Sequence, residues 1–148
     1  MKVSELMDKN FITIPKGTTY EDVFKIFIEH KIGGAPVVDE NNRVIGYVSE
    51  KDLFRILFPF YTSYYNTPEL YTDYEDRESK ASEIKDHKVE LFMNRDITIM
   101  DPDDSVMKAG ALTLAKNVSS MPVVKDGVLL GVIKRKDIYQ TILKKQLL

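Results

Sequence analysis

Cysteine and tryptophan are missing from the 148 residues, and histidine occurs only twice. The first absence excludes disulfides, thiolate metal sites and cysteine nucleophiles, and it agrees with a reducing compartment. His30 and His87 have no acidic or histidine partner at ligand spacing, so both are expected on the surface and no metal site is expected. An excess of one charge is missing too: 21 basic against 23 acidic residues leave a net charge of −2, which offers no chain-wide footprint for a nucleic acid. The short basic run Lys134-Arg135-Lys136 is too small to carry such a partner alone. No apolar run approaches the 18 or so residues of a membrane span, and Met1-Lys2-Val3-Ser4-Glu5 lacks the pattern of a secretory signal, so the expectation is a cytoplasmic protein with no membrane partner. Gly-x-Gly-x-x-Gly, Walker and Gly-x-Ser-x-Gly motifs are absent, and no motif marks a pair of carboxylates for acid and base work. No catalytic residue is expected, and an enzyme is the least favoured class.

What is present is an ordinary globular balance, 43% hydrophobic and 30% charged, in a chain long enough to bury roughly 70% of its unfolded surface. Its main signal is an internal repeat. A shift of 86 residues places Val3 on Val89, Met7 on Met93 and Pro36-Val37-Val38 on Pro122-Val123-Val124. After a one-residue deletion the shift becomes 85, and Gly46, Lys51 and Asp52 fall on Gly131, Lys136 and Asp137.

Each copy reads as β-α-β-β-α. A short strand (11–14; 97–100) leads into an amphipathic helix (19–30; 105–116) with apolar residues at Val23, Phe24 and Phe27, and at Val106, Ala109 and Leu112. Two apolar strands follow, 35–38 and 43–49 in copy one, 121–124 and 128–134 in copy two, the latter joined through Asp126-Gly127, an efficient hairpin signal. A last helix closes each copy (50–57; 135–143). One such unit of about 55 residues is marginal by itself. The fold class expected is therefore α/β (α+β), with two repeats packed sheet to sheet as a pseudo-twofold pair.

The organisation expected is repeat one over residues 1–58, a connecting insert over 59–88 and repeat two over 89–148. The insert carries five of the eight tyrosines, Tyr61, Tyr64, Tyr65, Tyr71 and Tyr74. It reads either as an exposed arm whose tyrosines pack on their own module or a dimer mate, or as a lid or partner-binding element.

Two ordered signatures recur. Ile32-Gly33-Gly34-Ala35-Pro36-Val37-Val38-Asp39 runs into Gly46-Tyr47-Val48-Ser49-Glu50-Lys51-Asp52, and Val118-Ser119-Ser120-Met121-Pro122-Val123-Val124 runs into Gly131-Val132-Ile133-Lys134-Arg135-Lys136-Asp137. Found twice in order, they resemble the CBS domain, named for cystathionine beta-synthase. The resemblance implies a tandem pair, or Bateman module. The clefts of such a pair bind AMP, ADP, ATP, S-adenosylmethionine or related adenosine compounds as regulatory ligands, and no cofactor is required. It also implies a homodimer, and with no effector domain attached, a separate effector chain.

The resemblance assigns the ligand-binding residues. Asp52 and Asp137 would accept from ribose hydroxyls, with Ser49 beside ribose or phosphate. Ser49-x-x-Asp52 is equally a capping box, so the same residues have a purely structural reading. Lys134 departs from the pattern, standing where serine or threonine is expected; it either meets a phosphate or fills and closes the cleft. Adenine would enter between Thr13, Ile14, Ile32 and Gly33 in copy one, and between Ile99, Met100, Val118 and Ser119 in copy two. The aliphatic members of both sets also read as plain core. The competing function is a ligand-free scaffold acting through dimerisation and the tyrosine-rich arm.

Overall fold

Each repeat builds an eleven-residue helix from the same local chemistry. In the computed structural model, which describes residues 1–58 and 66–148, Thr19 and Ser105 cap the two helices by accepting the amides of Asp22 (3.2 Å) and Lys108 (3.0 Å). Both helices stop at a residue in the left-handed conformation, Lys31 (φ 54°) and Asn117 (φ 51°).

The elements in chain order are α1 (Val3–Leu6), β1 (Ile14–Pro15), α2 (Tyr20–His30), β2 (Gly34–Val38), β3 (Val44–Ser49), α3 (Glu50–Arg55), a 3-10 turn (Pro68–Leu70), α4 (Tyr74–Glu78) and α5 (Lys80–Glu83). A second 3-10 turn (Val89–Leu91), α6 (Val106–Lys116), β4 (Ser120–Lys125), β5 (Val128–Lys134) and α7 (Arg135–Leu147) complete it. The mixed α+β class expected from the repeat is the one observed.

The chain divides into two units. The first holds residues 13–40 and 45–95, and the second holds 1–12, 41–44 and 96–148. In the first, β1 pairs parallel with β2, Ile14 opposite Val37, and the core gathers Ile14, Val23, Phe27, Val37, Val48, Leu53, Ile84 and Val89. In the second, β4 and β5 form an antiparallel ladder, and Val3, Met100, Val106, Ala109, Met121, Val123, Ile133 and Ile138 form the core. Asp126 (φ 51°) and Gly127 (φ 81°) make its hairpin turn, the conformation that Asp-Gly suits.

The opening strands are shorter than expected, and proline accounts for it. Met100 bridges Val123 by donating to Pro122 O (2.9 Å) and accepting from Val124 N (2.9 Å). The rung before it would need an amide on Pro122, which proline lacks. Pro36 stands at the same place beside Ile14, so residues 11–13 and 97–99 lie outside the sheets.

The C-terminal part of the insert belongs to the first unit. Ile84 is buried in its core, and Tyr20 N and Glu21 N donate to His87 O (2.7 Å) and Lys85 O (3.1 Å). Tyr71 is half-buried and Tyr74 exposed, its hydroxyl donating to Pro68 O. Tyr61, Tyr64 and Tyr65 lie outside the described residues. Both histidines are exposed.

Candidate functional site

The junction of β3 with α3 carries Ser49 and Asp52, and the residues assigned to the first cleft all lie within the first unit. Glu50 N donates to Gly33 O (3.0 Å), which ties the start of α3 to the segment ahead of β2. Gly33 is exposed, and the Glu50 carboxylate occupies its open side: a Cβ at Gly33 would fall 2.9 Å from Glu50 Oε1. Ile14 is fully buried, Ile32 is half-buried and packed against the same core, and Thr13 is half-buried.

Asp52 is buried and engaged. Its Oδ2 accepts from Ser49 N (2.9 Å) and Ser49 Oγ (3.0 Å), Ser49 Oγ accepts from Asp52 N (3.4 Å), and Arg55 Nη1 lies 3.5 Å from Oδ1. The capping box is therefore formed. A carboxylate offers about four acceptor directions, so Oδ1 keeps capacity for hydroxyl donors while the cap stands.

The second junction, β5 with α7, repeats the backbone tie: Arg135 N donates to Ser119 O (2.8 Å). Around it the chemistry differs. Lys134 holds the cap position without any side-chain cap, and its Nζ lies 3.4 Å from Asp8 Oδ2, the lysine exposed and the aspartate half-buried. Asp137 is half-buried, and its carboxylate has no hydrogen-bond or ion-pair partner among the described residues. Met100 is buried, Val118 half-buried, and Ile99 and Ser119 are exposed.

Asp8 reaches Lys134 because the N-terminal segment runs beside β5, Asp8 and Val132 exchanging backbone bonds of 2.8 and 3.0 Å. In the first unit Asn94 and Tyr47 exchange the same pair, 2.8 and 2.9 Å. Asp8, Glu50 and Arg135 are the site neighbours that sequence reasoning left unassigned. The shift of 85 already set Glu50 against Arg135, a reversal of charge, whereas Asp8 had no local signal.

A cavity of about 490 Å³ opens elsewhere in the first unit, at the end of α3, lined by Phe54, Leu57, Phe58, Tyr74, Arg77 and Glu78. Arg77 Nε is buried there without a hydrogen bond, 3.7 Å from Asp73 Oδ2. None of the residues assigned to either cleft lines it. Among the described residues no cluster of His, Asp or Glu fits a metal ion, and no helix is long and apolar enough to cross a membrane.

The duplicated unit has its counterpart in known proteins. The CBS domain profile matches twice, over residues 3–59 and 84–144. The chain belongs to the CBS domain family. Like it in structure are CBSX2 in complex with AMP (TM-score 0.74, 23% identity, 98% of each chain) and the CBS domain pair of MJ0100 in complex with 5′-methylthioadenosine and S-adenosyl-L-methionine (TM-score 0.71, 22% identity, 98% of each chain). CBSX2 itself comes from Arabidopsis thaliana. At these identities the likeness shows the shared CBS-pair fold. The A-adding tRNA nucleotidyltransferase of Aquifex aeolicus is 26% identical over 142 residues; that match takes in 96% of this chain but spans only 14% of the enzyme.

Proposed function

We propose that this chain is a regulatory CBS pair that binds an adenosine-containing ligand (AMP, ADP, ATP or S-adenosylmethionine) at the two helix junctions and passes its occupancy to a separate effector chain. The observation that carries the reading is the junction itself, built twice. An amide-to-carbonyl bond joins the start of the last helix to the segment ahead of the middle strand, and two residues further into that helix stands an aspartate, Asp52 in one copy and Asp137 in the other. A carboxylate there suits the vicinal hydroxyls of ribose, since hydrogen bonds to charged groups contribute about 1.5 to 3 kcal/mol each. The ligands named for CBSX2 and MJ0100, all adenosine compounds, support the chemical class. Family members are in general regulatory rather than catalytic, which supports a role without chemistry.

The relay follows from linkage. A ligand shifts a two-state arrangement only by its differential affinity for the two states, so the effector would read the packing of the module, as a homodimer or otherwise. A second reading, a ligand-independent interaction module, is favoured by one observation: Asp52 is already capped and Lys134 already paired with Asp8, so these polar groups find partners without a ligand.

Thermal unfolding with AMP, ADP, ATP, S-adenosylmethionine and a GTP control separates the two. At 100 times its dissociation constant a ligand stabilises by about 2.7 kcal/mol, or roughly 5 to 10 °C here. The expected result is a selective adenosine-dependent shift, diminished in Asp52→Ala and in Asp137→Ala. A panel without any shift on ligand-free protein establishes the second reading instead.

A further inference from the structure

Accepting the two junctions as adenosine sites, we infer that they differ in ligand class: the second takes a polyphosphate, and the first takes adenosine compounds without one. Ser49-Glu50-Lys51-Asp52 carries a formal charge of −1, and Lys134-Arg135-Lys136-Asp137 carries +2. The two stretches hold the same places in their units, as the matched bonds Glu50 N to Gly33 O and Arg135 N to Ser119 O show.

In the first junction two groups that would meet a phosphate are already used. Ser49 Oγ is bound to Asp52, and the Asp52 amide is taken by Ser49 Oγ. The Glu50 carboxylate then lies over Gly33, adding a negative charge at the mouth. Phosphates brought here meet repulsion, whereas the sulfonium of an S-adenosyl group or an uncharged substituent does not.

In the second junction the Asp137 amide has no side-chain acceptor, because Lys134 cannot serve as one, and α7 runs 13 residues behind it. Uncapped amides at a helix start favour anions. The Arg135 and Lys136 side chains have no ion-pair partner among the described residues, and the Lys134 pair with Asp8 is solvent-exposed, a contact that a phosphate can displace. Asp8 therefore competes with the ligand for Lys134. Asn94 stands at the matching position in the first unit, so Asp8→Asn is a change the repeat already contains.

Calorimetric titration of the full chain with ATP, AMP, adenosine and S-adenosylmethionine tests the assignment, at two salt concentrations. Reversing one charge about 6 Å from a phosphate changes affinity on the order of tenfold even at the dielectric of bulk water, and by more at that of a protein surface. Arg135→Glu is expected to weaken ATP at least tenfold at one of two sites while leaving adenosine within twofold. Glu50→Arg is expected to strengthen ATP at the other site, and Asp8→Asn to strengthen ATP several-fold with a steeper salt dependence. Circular dichroism checks that each variant folds; these side chains are on the surface or half-buried, and Asp8→Asn keeps the oxygen that accepts from Asn10 N. Binding of all four compounds with the same order of affinity in wild type, Arg135→Glu and Glu50→Arg overturns this inference and leaves the adenosine sites standing. Absence of binding by every compound in every variant overturns both.

Discussion

Lys31 ends α2 in a conformation that costs an L-residue about 1 to 2 kcal/mol, while Asn117, its counterpart at the end of α6, is a residue type that tolerates it. Lys31→Asn is therefore expected to stabilise the protein by about 0.5 to 1 kcal/mol, read as a rise in Tm of roughly 1 to 4 °C by calorimetry; an unchanged or lower Tm means that the lysine side chain supplies an offsetting contact. Asp104 illustrates a different residue-scale effect. Its carboxylate accepts from Asp101 N (2.9 Å) and from Lys108 Nζ (2.9 Å), and these bonds, the backbone one first, hold it below the usual carboxylate range. A lowered folded-state pKa contributes stability that is present above the unfolded value and is lost as pH falls through the folded one. Asp104→Asn keeps an acceptor for Asp101 N and loses the charge. Its deficit against the parent protein, measured by urea unfolding, is expected at pH 7 and should close below about pH 4. A deficit constant down to pH 3 assigns the effect to packing.

At the scale of elements, α3 and α7 begin alike in backbone and unlike in capping. Ser49 closes a reciprocal box with Asp52, whereas Lys134 caps nothing. Lys134→Ser should give α7 the missing cap through the Asp137 amide and stabilise the ligand-free protein by about 0.5 to 2 kcal/mol, less the exposed Asp8 pair at about 0 to 1 kcal/mol. The expected Tm is higher, and a fall would mean that the Asp8 pair outweighs a cap. The Ser49 cap was legible in sequence because its chemistry is local, and Thr19 and Ser105, which stand at the expected helix starts, serve the amide three residues on in the same way. So was the Asp126-Gly127 turn, whose two positive φ values suit those residue types. The short opening strands were misread because a parallel rung depends on a residue far away in sequence. Residues 11–13 and 97–99 are apolar enough for strand, and what stops them is the missing amide of Pro36 and Pro122. Likewise the role of Glu50 over Gly33 needed the fold, although its reversal against Arg135 stood in the repeat.

For the whole molecule, the repeat assigns Val3 and Val89 the same place, yet each is buried in the unit built mainly from the other half of the chain. Val3, fully buried, packs with Met100, Val106 and Ile133, and its amide donates to Asp104 O (2.8 Å); Val89, also fully buried, packs with Ile14 and Val23, and its amide donates to Thr18 O (2.8 Å). The glycines record the same exchange: a Cβ on Gly131 would meet Met7 Sδ at 2.9 Å, and one on Gly46 would meet Met93 Sδ at 2.5 Å. Sequence similarity between copies shows which residues are equivalent, but not which copy's core each one enters, because both choices bury the same apolar area. The consequence is a crossed pattern of damage. Removing two buried methyl groups costs about 2 kcal/mol, and local opening follows the unit that lost them. Hydrogen exchange read by mass spectrometry should then show Val3→Ala loosening β4, β5 and α6, some hundred residues away in sequence, while Val89→Ala loosens β1, β2 and α2. If Val3→Ala instead loosens α2 and β2, the N-terminal segment packs with its own repeat, and the contact that brings Asp8 to Lys134 goes with it.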